Sequence, residues 1–244
     1  FAQTLPTSSS SSSEPIVETP YRILEGTATS LNCTLTEEDC LEAEEDTINV
    51  SIGLNEYYQI LEIDVTGKVA TNGYWKTTWN NRIEDMLASY QALSLQGIQT
   101  LDALAPLPEN LSLTGATNSA VRLLNALQDA VKNIEVYEGS FTSDIPEDEE
   151  GTLYTTNVLV YVEDGQIMTF DILNPEDIAS SSFYRNKWNE GFETLLQTYR
   201  GYSVEDFLAL TEFPQNLSIT GATVSAERLY GAIKDALTEG GFKP

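Results

Sequence analysis

The 244-residue chain contains no histidine, and that absence removes several function classes at once. Ser-His-Asp and Cys-His catalysis need an imidazole to move a proton, and His-based zinc sites and His-ligated haem need one as a ligand. Basic residues are scarce too: 12 Lys and Arg stand against 38 Asp and Glu, a formal charge of −26. A surface this acidic repels nucleic acid and anionic lipid, so neither is expected as a partner. No apolar run approaches the roughly 18 residues of a membrane-spanning helix. The charge is compatible with high-salt surroundings or calcium binding, but high solubility outside the cell is the preferred reading.

Cysteine is nearly absent. Cys33 and Cys40 are the only pair, too widely spaced for a reactive Cys-x-x-Cys motif. In a secreted chain they are expected to close a short disulfide loop, worth about 2–3 kcal/mol. Four Asn-x-Ser/Thr sequons, at Asn32, Asn49, Asn110 and Asn216, point the same way. The chain starts at Phe1 rather than Met, which reads as removal of a targeting segment. The expectation is an extracellular or cell-surface glycoprotein.

What the sequence does have is an internal repeat. Residues 108–130 match 214–236 at 15 of 23 positions, an offset of 106, so the chain holds a duplicated domain. At the centre of the match is Thr114-Gly115-Ala116-Thr117 in the first copy and Thr220-Gly221-Ala222-Thr223 in the second. Apolar residues follow at helical spacing, Ala120, Leu123, Leu124, Leu127 and Val131, then Ala226, Leu229, Ile233 and Leu237. The last Thr of each copy therefore stands where a loop enters a helix. There, free N–H groups and the helix dipole favour an anion, although an N-cap Thr is a common feature at such a place. The glycine lets the backbone turn or approach a ligand.

Around this centre the expected organisation is an extended Ser/Pro-rich arm over 1–29, repeat one over 30–138 and repeat two over 139–244. Alternation at Ile48, Val50 and Ile52, and again over Ile60–Val65, predicts antiparallel strands with a turn at Gly67. In repeat two, Val158, Val160 and Val162 lead to a hairpin at Asp164-Gly165. A helix starting near Trp79 aligns with one near Trp188, ending on Tyr90 and Tyr199. Strands followed by helices in each copy give an α+β fold, an antiparallel sheet with helices packed on it. The arm, with Ser8–Ser13 unbroken, is either a flexible spacer or, through Ile16–Thr19 and Tyr21–Leu24, a strand added to a neighbour's sheet edge. The acidic runs 37–46 and 144–150 lack the Asp-x-Asp-x-Asp-Gly pattern and read as solvated loops rather than calcium sites.

The Thr-Gly-Ala-Thr copies resemble the Ser/Thr-Gly-Ala-Thr signature of the FMN-binding domain family, which includes flavin subunits of redox pumps and extracellular flavin lipoproteins. Residues 66–69 and 164–167 resemble its strand turn, and Tyr199–Phe207 its "tyrosine, glycine, short helix" segment. Where the family usually carries an Asp shortly before the signature, Leu111, Ser112, Leu217 and Ser218 stand here. The resemblance implies FMN joined through a phosphoester to Thr223, and also to Thr117, by a dedicated flavin transferase. Thr220, Gly221, Ala222, Thr114, Gly115 and Ala116 would complete the two sites. Tyr90 and Tyr199 are either core residues or rings that stack on the flavin. Arg122 and Arg228, five residues after each Thr, would either offset the phosphate charge or lie on the wet face.

The expected role is an extracytoplasmic electron carrier exchanging electrons with redox partner proteins, not a catalyst. The alternative is a structural subunit of an extracellular filament or surface layer, joined to identical subunits through the arm, with or without flavin. A third reading is an adhesin or calcium-stabilised module without cofactor.

Overall fold

The computed structural model describes residues 19–31, 45–67, 73–103, 107–111, 117–145, 152–179 and 181–239. It is α+β, as the residue pattern predicts. The first sheet is antiparallel in the order β1 (Arg22–Leu31), β2 (Glu45–Leu54), β3 (Ile60–Gly67). The helices α1 (Gly73–Gln91), α2 (Leu95–Thr100) and α3 (Thr117–Val131) follow. The second half repeats the plan with β4 (Ile134–Thr142), β5 (Thr155–Glu163), β6 (Gln166–Ile172), α4 (Ser182–Tyr199), α5 (Val204–Leu208) and α6 (Thr223–Glu239).

Residues 22–29, counted with the arm on composition, form most of β1 and pair with residues 47–54 of β2 in the chain's own sheet. Each structural unit therefore opens one strand earlier than the repeat boundaries drawn from sequence. Residues 1–18 of the arm, and both cysteines, lie outside the described residues.

The last helix of each unit packs on its first two strands, and glycine sets how close it comes. A Cβ on Gly26 would lie 2.1 Å from the Ala126 carbonyl oxygen and 2.4 Å from the Ala130 nitrogen. At Gly139 the same test gives 2.3 Å to both the Ala232 oxygen and the Ala236 nitrogen. The strand backbone thus lies against the helix backbone, with alanine on the other side. The next residue in each strand donates its amide to an aspartate one turn away: Thr27 to Asp129 Oδ2 (3.0 Å) and Ser140 to Asp235 Oδ2 (2.8 Å). The remaining outer strands are also bound by side chains, Leu61 O of β3 accepting from Gln91 and Met168 O of β6 from Arg200 Nε at 2.9 Å. Side chains that occupy backbone groups on outer strands discourage unplanned strand pairing.

The two sheets differ in exposure. β2 buries Ile48, Val50, Ile52 and Leu54 against the helices, while Asn49 faces solvent. In β5, Val158, Val160 and Val162 enter the second core, whereas Leu159 and Tyr161 belong to the first. The second sheet is therefore covered on both faces, one of them by repeat one.

The hairpin between β2 and β3 makes the join. Its turn is at Asn55–Gln59, not at Gly67, which ends β3 with φ 104°. Asn55 Oδ1 accepts the amides of Tyr57 (2.9 Å) and Gln59 (3.0 Å), a local side-chain turn that needs no glycine. Tyr57 packs into the second core, and the Tyr58 ring lies 5.8 Å from that of Tyr161. Glu163 pairs with Arg22 and accepts from the Tyr58 hydroxyl at 3.5 Å. Arg200 donates to the Glu56 carbonyl and lies 5.5 Å from the Tyr21 ring. In repeat two the matching hairpin closes tightly on Asp164 (φ 49°) and Gly165 (φ 73°), the two-residue geometry that twists with the strands.

Two stability outcomes follow. Gly139→Ala forces α6 off the sheet and should cost about 3 kcal/mol in urea unfolding; an unchanged midpoint would show that the helix moves freely. Asp171 accepts from the Tyr161 hydroxyl at 3.3 Å, and burial raises its pKa above the ordinary 3.8. A carboxyl raised by folding favours the folded state below its unfolded pKa and loses that contribution as pH rises through the folded value. Asp171→Asn should therefore raise Tm at pH 7, with the gain vanishing toward pH 3.

Candidate functional site

The second signature copy is described in full. Its approach is the single 3-10 turn Gln215–Leu217. Along the loop, Leu217, Ile219 and Ala222 point inward and are buried, while Asn216, Thr220, Gly221 and Thr223 are exposed. The inward residues pin the loop to the core, and the outward ones are left to solvent. Gly221 takes φ 83°, a conformation that L-residues rarely adopt. It lets the Ala222 amide reach back to the Ile219 carbonyl at 2.9 Å.

Thr223 is the first residue inside α6, so the N-cap position falls on Ala222. The capping role open to Thr at this junction is therefore not the one it has. Its hydroxyl donates to the Ile219 carbonyl and accepts from Ser218 Oγ, both at 3.4 Å. Alanine has no acceptor to offer the helix. By contrast α2, α4 and α5 begin at Ser94, Ser181 and Ser203, whose hydroxyls accept from Gly97, Tyr184 and Asp206 amides. Among the described residues nothing accepts from the Thr223, Val224 or Ser225 amides. These amides lie in the first turn of a 17-residue helix, at its positive end, with Thr223 exposed and Ser225 buried.

Helix α4 forms the opposite wall. A Cβ on Gly191 would lie 2.8 Å from Ile219 Cγ2, so the loop seats directly on the helix backbone there. The stem of Lys187 runs along Gly221, its Cγ 3.1 Å from where a Cβ would be, and Lys187 Nζ pairs with Glu190 at 2.6 Å. Between the walls is an open cavity of about 520 Å³, lined by Phe183, Lys187, Glu190, Gly191 and Thr194 on α4 and by Asn216 and Thr220 on the loop. Its volume falls within the ~300–1,000 Å³ of small-molecule sites. Lys187 is the only basic residue lining it.

Several candidates lie elsewhere. Tyr199 is fully enclosed, its ring 5.3 Å from Phe170 and 5.7 Å from Phe207, and burial holds its phenol far above the usual range. Tyr90 is equally buried in the first core. Neither ring faces the cavity, so both serve as core. Arg228 is buried, donates to the Ile178 carbonyl at 2.7 Å and lies 5.5 Å from the Tyr154 ring, holding the turn after β6 rather than facing the signature. Arg122 is buried as well. In the first copy, Thr114, Gly115 and Ala116 lie outside the described residues; Thr117 begins α3, and its side chain is outside them too.

The sequons Asn49, Asn110 and Asn216 are exposed, and Asn216 Nδ2 donates to the Tyr202 hydroxyl at 3.1 Å. Asn32 and most of the acidic runs 37–46 and 144–150 lie outside the described residues. Among the described residues no group of three or more His, Cys, Asp or Glu is placed to hold a metal, and no helix is long and apolar enough to cross a membrane. Lys187, Gly191 and Phe183 are the site residues that sequence reasoning missed. Repeat comparison hides the first two, because Thr78 and Arg82 stand at their places in α1.

The loop geometry is testable by substitution. Gly221→Ala places a side chain at φ 83° against the Lys187 stem, which should cost about 1–3 kcal/mol and lower Tm by several degrees; an unchanged Tm would mean the loop relaxes. No family model, characterised protein or solved structure matches the chain.

Proposed function

We propose that the chain is an extracytoplasmic electron carrier with FMN held covalently on Thr223. The observation that carries this reading is the start of α6, where Ala222 offers no capping oxygen and the next residue is the exposed Thr223. The first-turn amides of α6 would receive the oxygens of a flavin phosphate, while Lys187 at the cavity wall is already paired with Glu190. Phe183, Ile219 and Leu195 give that wall an apolar part against which a flat ring can rest.

The bound flavin supplies the electron transfer; the chain supplies tethering, orientation and field. Attachment requires an activated flavin phosphate of the dinucleotide class. Thr223 Oγ1 would hold the flavin phosphate as a phosphoester, with a nucleoside monophosphate as the leaving group and the hydroxyl proton released to solvent. Ser218 Oγ, 3.4 Å from Thr223 Oγ1, holds the hydroxyl in place through its own donated hydrogen bond. A covalent link suits a protein outside the cell, where free flavin diffuses away. The charge of −26 favours redox partners with basic faces, reached at rates that fall with salt.

Protein purified from its own host should show flavin fluorescence on a denaturing gel and a flavin-phosphate adduct on the Thr223 peptide. Thr223→Ala should abolish the adduct and Thr223→Ser should retain it. A bare Thr223 in host-derived protein sinks the reading.

A further inference from the structure

The two sheets share one kind of helix seat but differ on their outer faces. Gly26 lies against α3 as Gly139 lies against α6, and the two glycines pair with Val50 and Val158. Asn49-Val50-Ser51 of β2 therefore corresponds to Asn157-Val158-Leu159 of β5. In β5, Leu159 and Tyr161 belong to the core of repeat one, so the outer face of that sheet is closed. The matching residues of β2 are Ser51 and Gly53. Ser51 cannot make the apolar contact that Leu159 makes. It is also the hydroxyl that completes an Asn-x-Ser sequon, which Leu159 breaks in the other copy.

Asn49 stands in the middle strand of the first sheet, opposite Thr27 on one side and Thr66 on the other. All three are exposed. Among the described residues nothing bonds the Asn49 side chain, whereas Asn216 Nδ2 is engaged with the Tyr202 hydroxyl. Around Asn49 an open cavity of about 440 Å³ is lined by Glu25, Thr27, Ser51, Asp64, Thr66 and Asp129. These carboxylates are not placed to hold a metal, and Asp129 already accepts from the Thr27 amide and Lys132. Hydroxyls that both donate and accept, beside carboxylates that accept, are the groups that bond the hydroxyls of a sugar.

We propose that Asn49 carries an N-linked glycan lying over this face, a step that rests on the extracytoplasmic placement proposed above. Sugar then covers in repeat one what protein covers in repeat two. The donor is an oligosaccharide on a lipid diphosphate. Asn49 Nδ2 bonds to the anomeric carbon, the sugar–phosphate C–O bond breaks, the lipid diphosphate leaves, and the amide proton is released to solvent. The finished fold accommodates the product because Asn49 points away from both cores, with threonines rather than bulky side chains on either side. A glycan there keeps other proteins, a second copy included, off the outer face of the first sheet.

The test uses the full chain purified from its own host, treated with peptide N-glycosidase in heavy-oxygen water and read by peptide mapping. Conversion of Asn49 to a labelled aspartate is expected in most molecules. In the chain secreted from eukaryotic cells, Asn49→Gln and Ser51→Ala should each lose the mass of one glycan, and Ser51→Thr should keep it. Circular dichroism of all three should match the parent. A host protein glycosylated at Asn110 or Asn216 but bare at Asn49 overturns the proposal and leaves the extracytoplasmic reading standing. A Ser51→Ala chain that keeps the full glycan mass overturns it too. A chain without glycan at any sequon overturns the proposal, and its recovery from the cytosol overturns the extracytoplasmic reading as well.

Discussion

The close approach of a long helix to its first strand, glycine against alanine, is the constraint from which the site geometry follows. At Gly139 the strand backbone lies against the Ala232–Ala236 stretch of α6. Those residues are roughly two to three helical turns beyond Thr223. Fixing the helix body there fixes where its N-terminus stands, and the loop has only to reach it. Asp235 then ties the neighbouring strand amide, so the helix cannot slide along the strand without breaking that bond. The same pair of contacts recurs at Gly26 and Asp129, which explains how an identical frame serves both repeats while their walls diverge.

The divergence has a physical counterpart in how the repeats are joined. A duplicated domain can remain two independent units, or one unit can become part of the other's packing. Here Tyr57 enters the second core, and Leu159 and Tyr161 enter the first. Charged groups finish the seam: Glu163 with Arg22, and Arg200 with the Glu56 carbonyl. These pairs are partly buried, and their value lies more in fixing register than in net stabilisation.

How far the sequence spoke depends on the kind of signal. The duplication, the α+β order and the Asp164-Gly165 hairpin were legible because each rests on local pattern. The two-sided burial of β5 was legible in principle as well: Val158–Val162 is a continuous apolar run, whereas β2 alternates with Asn49 and Ser51. The Asn55–Gln59 turn was missed because it has no glycine or proline; its signal is a single asparagine folding back on its own amides. The strand character of Tyr21–Leu24 was legible, but its partner was not: β1 pairs with β2 of its own chain rather than with a neighbour. Tyr199 and Arg228 matched a functional pattern by position, yet both are held by packing, which spacing alone does not reveal.

The start of α6 differs from the chain's other helix starts. Serine begins α2, α4 and α5, and each hydroxyl is used on an amide of the first turn. Such a cap is worth about 1 kcal/mol relative to alanine. Serine at residue 222 would extend the same device to α6, yet alanine stands there, buried at 4% exposure. Its methyl group completes the inward row of Leu217 and Ile219, and it offers no side-chain oxygen to the first-turn amides. Packing accounts for a small apolar residue at this place. It does not account for the glycine at φ 83° next to it, the lysine stem laid along that glycine, or the exposed hydroxyl that follows. A hydroxyl at residue 222 would cap the helix; this loop instead buries a methyl there and carries its hydroxyl one residue later, on Thr223.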